Sequence, residues 1–217
     1  MKRFSPPVSA NRVPLRRSLS TPTPRGISLS RRCVLAAAVA ALGCRRSAEL
    51  PVLGTLSSFD LINESAAPLG SAQLRGKVWI AGFMFTRCPT ICPRITRRMR
   101  QLQQRAANDG RSVQLVSFSV DPENDTPAVL RKYAQQYEAD LSSWSFLTGE
   151  LETVKRTVAD GFKLALEGQA DASAPDFGIL HGSHLVLVDR ELRIRGYYAS
   201  SEEERMRQLL QDAAALQ

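Results

Sequence analysis

The chain is short of histidine, short of cysteine beyond its first 44 residues, and devoid of acid within them. Only two of its 217 residues are histidine and four are cysteine. Residues 1–44 hold eight Lys and Arg but no Asp or Glu, so 21 basic residues remain downstream against 21 acidic ones. The net charge of +8 therefore belongs to the leader, and bulk charge gives the body no footprint for DNA or RNA. No apolar run reaches the ~20 residues that a helix needs to span a bilayer. No internal repeat is visible. What is present, 43% hydrophobic and 23% charged residues, suits one ordinary domain plus a tail. Such a chain can bury a core without disulfide staples.

The first 47 residues read as an export leader and linker, and residues 48–217 as the domain. Basic residues run to Arg32, followed by the apolar stretch Cys33–Leu42, which has the length of a signal-peptide core. Ser30-Arg31-Arg32 resembles a twin-arginine export signal. Ala41-Leu42-Gly43-Cys44 resembles a lipoprotein cleavage site that would leave Cys44 lipidated. The expected location is outside the cytoplasm, facing a periplasm or its equivalent, held to a membrane by the leader or a lipid. Only Cys88 and Cys92 then remain in the body. Four positions apart, they cannot join distant parts of a fold, which leaves a disulfide switch, a metal site, or both.

Residues 51–58 read as an extended lead-in and Phe59–Asn63 as a short strand. Lys77–Phe85 is a near-continuous apolar run, the pattern of a central strand buried on both faces. Pro93 opens a helical pattern to Asn108, with Ile95, Met99 and Leu102 on one face. Ser112–Val120 is a second buried strand. Thr126 caps a helix led by Pro127. Ser145–Leu147 is a short strand, and Thr148 is expected to cap a helix over Leu151–Asp160. Phe162–Leu166 is expected to pair as a strand, with 167–176 a loop. Ser183–Asp189 and Leu192–Tyr198 form a hairpin, and Glu202–Leu216 an amphipathic helix. This order predicts an α/β, thioredoxin-like sandwich with a central mixed sheet flanked by helices.

The centre of the chain's chemistry is Phe85-Thr86-Arg87-Cys88-Pro89-Thr90-Ile91-Cys92-Pro93. The spacing sets both sulfurs on one side of a tight turn entering a helix, whose free amides favour negative charge. Arg87 and Arg94 add positive charge, so both thiols are expected below their ordinary value. Low-pKa thiolates are nucleophiles and soft ligands suited to Cu(I). A structural disulfide here would close a tiny loop and stabilise little.

The two histidines lie in Leu180-His181-Gly182-Ser183-His184. His181 precedes the last hairpin, which in a thioredoxin-like sandwich lies beside the central strand, so it can face Cys88 and Cys92. His184 falls within the strand pattern and reads as a side-facing residue. Two thiolates and one imidazole make a soft, three-coordinate set that suits copper better than zinc.

Together these residues resemble the Sco/SenC family of copper-binding cytochrome c oxidase assembly proteins. The resemblance rests on Cys88-Pro89-Thr90-Ile91-Cys92-Pro93, on Met99, on Ser119-Val120-Asp121-Pro122-Glu123-Asn124-Asp125-Thr126, and on His181 before Val188-Asp189. It implies a thioredoxin-like domain at a membrane that binds one copper ion, Cu(I) or Cu(II), through Cys88, Cys92 and His181. It also implies help in maturing the dinuclear copper (CuA) site of the oxidase, the partner being its copper-receiving subunit. Asp121 and Asp125 match the family's acidic motif and are expected to support the site or contact a partner. The pattern departs at Gly182, where the family usually has Ser or Thr.

Three functions compete. A metallochaperone would pass copper by ligand exchange. A thiol–disulfide oxidoreductase would attack with Cys88 and resolve with Cys92. A peroxiredoxin-like peroxidase would work without His181.

Overall fold

The apolar run at Lys77–Phe85 becomes the central strand of the domain, because only a position between two other strands and two helical layers buries such a segment completely. In the computed structural model, which describes residues 49–164 and 184–217, it is β3 (Trp79–Met84), buried at all six positions. The other strands are β1 (Gly54–Thr55), β2 (Ile62–Asn63), β4 (Gln114–Ser119), β5 (Trp144–Thr148), β6 (His184–Val188) and β7 (Arg193–Ala199). They form one seven-stranded sheet in the order β1-β7-β6-β3-β4-β5-β2. β3, β4 and β5 run parallel; β6 lies antiparallel against the other side of β3. This is the expected mixed sheet.

Alternation along the strands sorts the core into two layers. Ile80, Met84, Leu115, Leu185 and Leu187 face one way. There they are covered by α2 (Ile91–Asn108), α3 (Pro127–Gln136) and α5 (Glu203–Ala215). Trp79, Ala81, Phe83, Val116, Phe118, Val186 and Val188 face the other way. That layer is closed by α1 (Ser71–Leu74) and α4 (Leu151–Arg156). Among the described residues, no helix is long and apolar enough to cross a membrane.

α2 fixes the position of the cysteines. Its inner face carries Cys92, Ile95, Met99, Leu102 and Ala106, all buried at helical spacing. Met99 lies over Gly82 of β3: a Cβ there would stand 3.4 Å from Met99 Cε and 3.4 Å from Leu185 Cδ2. A glycine at this point lets the helix approach the sheet closely.

Several expectations need correction. α2 starts at Ile91, two residues before Pro93, which places Cys92 in the first turn. Thr126 caps α3, its side chain accepting from the Val129 amide. Thr148, by contrast, stays in β5, and the cap of α4 is Glu150. The Glu150 carboxylate accepts from the amides of Glu152 at 2.9 Å and Thr153 at 2.7 Å. A carboxylate takes two orphan amides where a hydroxyl takes one. α4 also ends early, at Arg156, and widens into a π-helical turn over Thr157–Gly161. Phe162 is not in a strand; it plugs an aromatic cluster with Phe83, Phe118 and Trp79, whose ring centroids lie 4.9–6.0 Å from its own. The leader through residue 48, the loop at 167–176 and His181 lie outside the described residues.

Candidate metal centre

β3 ends at Met84, and the chain must turn before it can enter α2. The Cys88 amide closes that turn by donating to the Phe85 carbonyl at 3.3 Å. The Cys92 amide, one of the free N–H groups of the first helical turn, donates to Cys88 Sγ at 3.5 Å. Both cysteines are free thiols and both are buried, Cys88 to 7% exposure and Cys92 to 4%.

The two thiols are electrostatically unlike. Burial pushes Cys88 up, but hydrogen bonds from the amides of Cys92, Thr90 and Ile91 and from the Cys92 thiol outweigh it, and Cys88 sits below its ordinary value. Burial dominates at Cys92, which is pushed up to about 12. A backbone hydrogen bond with Phe85 opposes this, while the neighbouring Cys88 and the Asp125 carboxylate add to it. The expectation that both thiols are lowered is thus corrected for Cys92. The arginines do not act as anticipated either. Arg87 is committed to Asp121, with Nη2 at 2.8 Å and Nε at 3.1 Å from the same carboxylate oxygen. Arg94 is exposed on the outer face of α2.

The acidic motif holds the loop. Asp121 is 4% exposed and Asp125 fully buried, and they grip the two residues that precede Cys88. Asp121 pairs with Arg87 and also accepts from Asn124 Nδ2 at 2.8 Å. Asp125 accepts from the Thr86 amide at 3.1 Å, from the Thr86 hydroxyl, and from the Ser119 hydroxyl at 2.6 Å. The end of β4 and the start of α3 are thereby tied to the end of β3. Thr86 and Ser119 lie within the two motifs read from the sequence, where neither was given a role of its own. A second tie lies beneath Cys92. The Thr96 hydroxyl donates to the Cys92 carbonyl at 2.9 Å and stands 2.8 Å from the buried Tyr133 hydroxyl.

The histidines divide. His184 opens β6, half-buried, paired with Ala199. β6 pairs with β3 at Ala81↔Val186, and two more residues of that register bring His184 level with Phe83. The chain therefore enters β6 at the cysteine end of the sheet. Within β6, His184 alternates with Val186 and Val188 on the layer away from α2, whereas Cys88 and Cys92 pack in the α2 layer. Among the described residues, no three of His, Cys, Asp and Glu gather as a metal site. The described part of the predicted donor set is the thiol pair, and its soft chemistry fits copper.

This fold and loop define a thioredoxin-like domain with a Cys-x-x-x-Cys turn at the C-terminal end of its central strand. The family model described as SCO1/SenC matches residues 50–216, nearly the whole body. The chain belongs to the SCO1/SenC family. It is 40% identical over 99 residues to the SCO1 protein homolog of Bacillus subtilis, a stretch covering 46% of this chain but only 51% of that relative's length. It is 31% identical over 150 residues to a protein of Stutzerimonas stutzeri provisionally named as copper-binding, covering 68% of this chain and 71% of the other. A solved structure of BsSco matches with a TM-score of 0.68 and 30% identity, over 77% of this chain and 96% of that one. BsSco is described as a member of the Sco family of cytochrome c oxidase assembly proteins that has a disulfide switch.

Proposed function

We propose that this protein binds copper through Cys88, Cys92 and His181 and delivers it to the copper-receiving subunit of a cytochrome c oxidase, maturing the CuA site outside the cytoplasm. The observation that carries the reading is the thiol pair, buried at the mouth of α2 and tied to the acidic loop through Thr86 and Arg87. Two thiolates on a buried turn suit Cu(I), and β6, which follows His181 by three residues in the sequence, begins at the same end of the sheet. Relatives named for copper binding and for oxidase assembly support the same reading. The leader supports export and a membrane tether, by lipid at Cys44 or by the apolar run itself.

A second reading has its own observation. The unlike thiols, Cys88 lowered and Cys92 raised, are the arrangement of an attacking and a resolving cysteine, so the second function is reduction of a disulfide between cysteines of the oxidase, with Cys88 and Cys92 oxidised to a disulfide in exchange. The test is copper stoichiometry of the reduced protein beside His181→Ala. One tightly bound copper in the native protein, lost in the variant, supports the chaperone. Weak or equal binding in both removes the three-ligand site and leaves the reductase.

A further inference from the structure

α2 carries five arginines, Arg94, Arg97, Arg98, Arg100 and Arg105, and not one acidic residue. Its charge is neutralised unevenly. Arg98 and Arg105 both pair with Glu203 of α5, at 2.6 and 2.5 Å, and Arg100 donates to Gln103. Arg94 and Arg97 are exposed and have no ion pair or hydrogen bond among the described residues. They follow Ile91, one of the few large apolar side chains left exposed, at 39%. These three residues span about 9 Å along the outer face of the first two helical turns. Cys92 lies on the inner face of the same turns.

Two guanidiniums one helical turn apart repel each other, and no ion pair or hydrogen bond among the described residues offsets this. Residues 45–217 are charge-balanced with this pair included, 21 basic against 21 acidic, so the pair does not sit in a general positive field. An apolar side chain with two unpaired arginines beside it has the composition of a small recognition patch: an anchor with cations that orient. Its complement is an acidic protein surface with an apolar notch, presented by a protein that must approach the cysteine loop closely.

We infer that Ile91, Arg94 and Arg97 form the docking surface for the copper-receiving partner, and that this partner presents acidic groups around its own metal site. The inference rests on the proposed chaperone function and adds how the partner is recognised. Electrostatic steering of this kind raises association rates by roughly 10–1000-fold at low salt and fades as salt screens it.

The test uses the reduced, copper-loaded full chain and, as probe, the purified soluble CuA domain of the oxidase from the same organism. Binding and copper transfer per bound copper are measured at low and high salt for native protein, Arg94→Glu/Arg97→Glu, and Arg75→Glu/Lys77→Glu. The last pair is exposed, carries the same charge change, and flanks the turn before β3, at the end of the sheet away from the cysteines. The expected result is a fall of about tenfold or more in association and transfer for the Arg94/Arg97 variant at low salt, converging with native at high salt, and a change of no more than about twofold for the control. Equal rates for native and the Arg94/Arg97 variant overturn the inference and leave the chaperone reading standing. An equal fall in the control overturns it in favour of net charge. No association with the probe, or Arg94/Arg97-dependent binding to phosphatidylglycerol vesicles in its place, overturns it as well. Native protein that docks through this patch but passes no copper upholds the surface and refutes the chaperone.

Discussion

Asp125→Asn tests whether the acidic motif is what positions the cysteine loop. The carboxylate is fully buried and receives three donors, the Thr86 amide, the Thr86 hydroxyl and the Ser119 hydroxyl. Asparagine keeps the shape, removes the charge, and turns one acceptor into an NH2 group that must face a donor. Hydrogen bonds to a buried charge are worth about 1.5–3 kcal/mol each, and a buried donor left unmatched costs about 1–3 kcal/mol. At least one bond is lost and the others lose their charge assistance, so a loss of about 3 kcal/mol is expected. For a domain of this size that is a fall of roughly 6–12 °C in melting temperature. Thr86 is two residues before Cys88, so the loop should loosen as well and Cys88 should react faster with a bulky disulfide reagent. Glu123→Gln, exposed in the same loop, is the control. An Asp125→Asn protein that melts with the native protein and shows native Cys88 reactivity refutes the clamp and leaves Asp125 an ordinary turn residue.

The thiol asymmetry predicts that iodoacetamide at neutral pH labels Cys88 before Cys92, read by peptide mass spectrometry; labelling in the reverse order contradicts the assigned environments. It also predicts that copper binding releases protons. Cys92, pushed up to about 12, is protonated in the metal-free protein throughout the working range. Raising the pH therefore strengthens binding, about tenfold in apparent affinity per unit for each proton displaced. A pH-independent affinity between pH 6 and 9, measured against a copper(I) competitor whose own proton linkage is known, rules this out. Replacing the histidines singly should divide them: His181→Ala should lose most of the copper affinity and His184→Ala little, by isothermal titration. The reverse order would move the ligand into β6.

The sheet was legible because its strands are buried on both faces, and such segments announce themselves as apolar runs: Lys77–Phe85 and Ser112–Val120 became β3 and β4 within two residues at each end. The cysteine loop was legible from residue type, spacing and its place after β3. Its electrostatics were not. That Arg87 is spent on Asp121, and that Asp125 lies close enough to Cys92 to raise it, are interactions between residues 34 and 33 positions apart in the chain, on separate elements. No local pattern encodes them. The α4 cap failed for a different reason. Thr148 and Glu150 are both plausible caps by spacing, and only the length of β5, set by pairing with β2 and β4, decides between them. Phe162 was read as the first residue of a strand over 162–166, whereas it is recruited by the aromatic cluster under the sheet.

The same pair of thiols serves both proposed functions, and this determines which variants can distinguish them. A thiolate held low at Cys88 can capture Cu(I) or attack a disulfide. A thiol held high at Cys92 would release its proton to solvent as a metal binds and regain it from solvent when the metal leaves, which favours release at neutral pH. It can equally close a disulfide on Cys88 once deprotonated, more slowly at neutral pH than a low-pKa thiol would. Cys88→Ser and Cys92→Ser therefore impair transfer and reduction alike, and a loss of oxidase activity in either variant says nothing about mechanism. His181 has a role only in the metal reading. A His181→Ala protein that still reduces a target disulfide at the native rate yet no longer loads the oxidase would place its function with copper. One that loses neither would place it with the thiols alone.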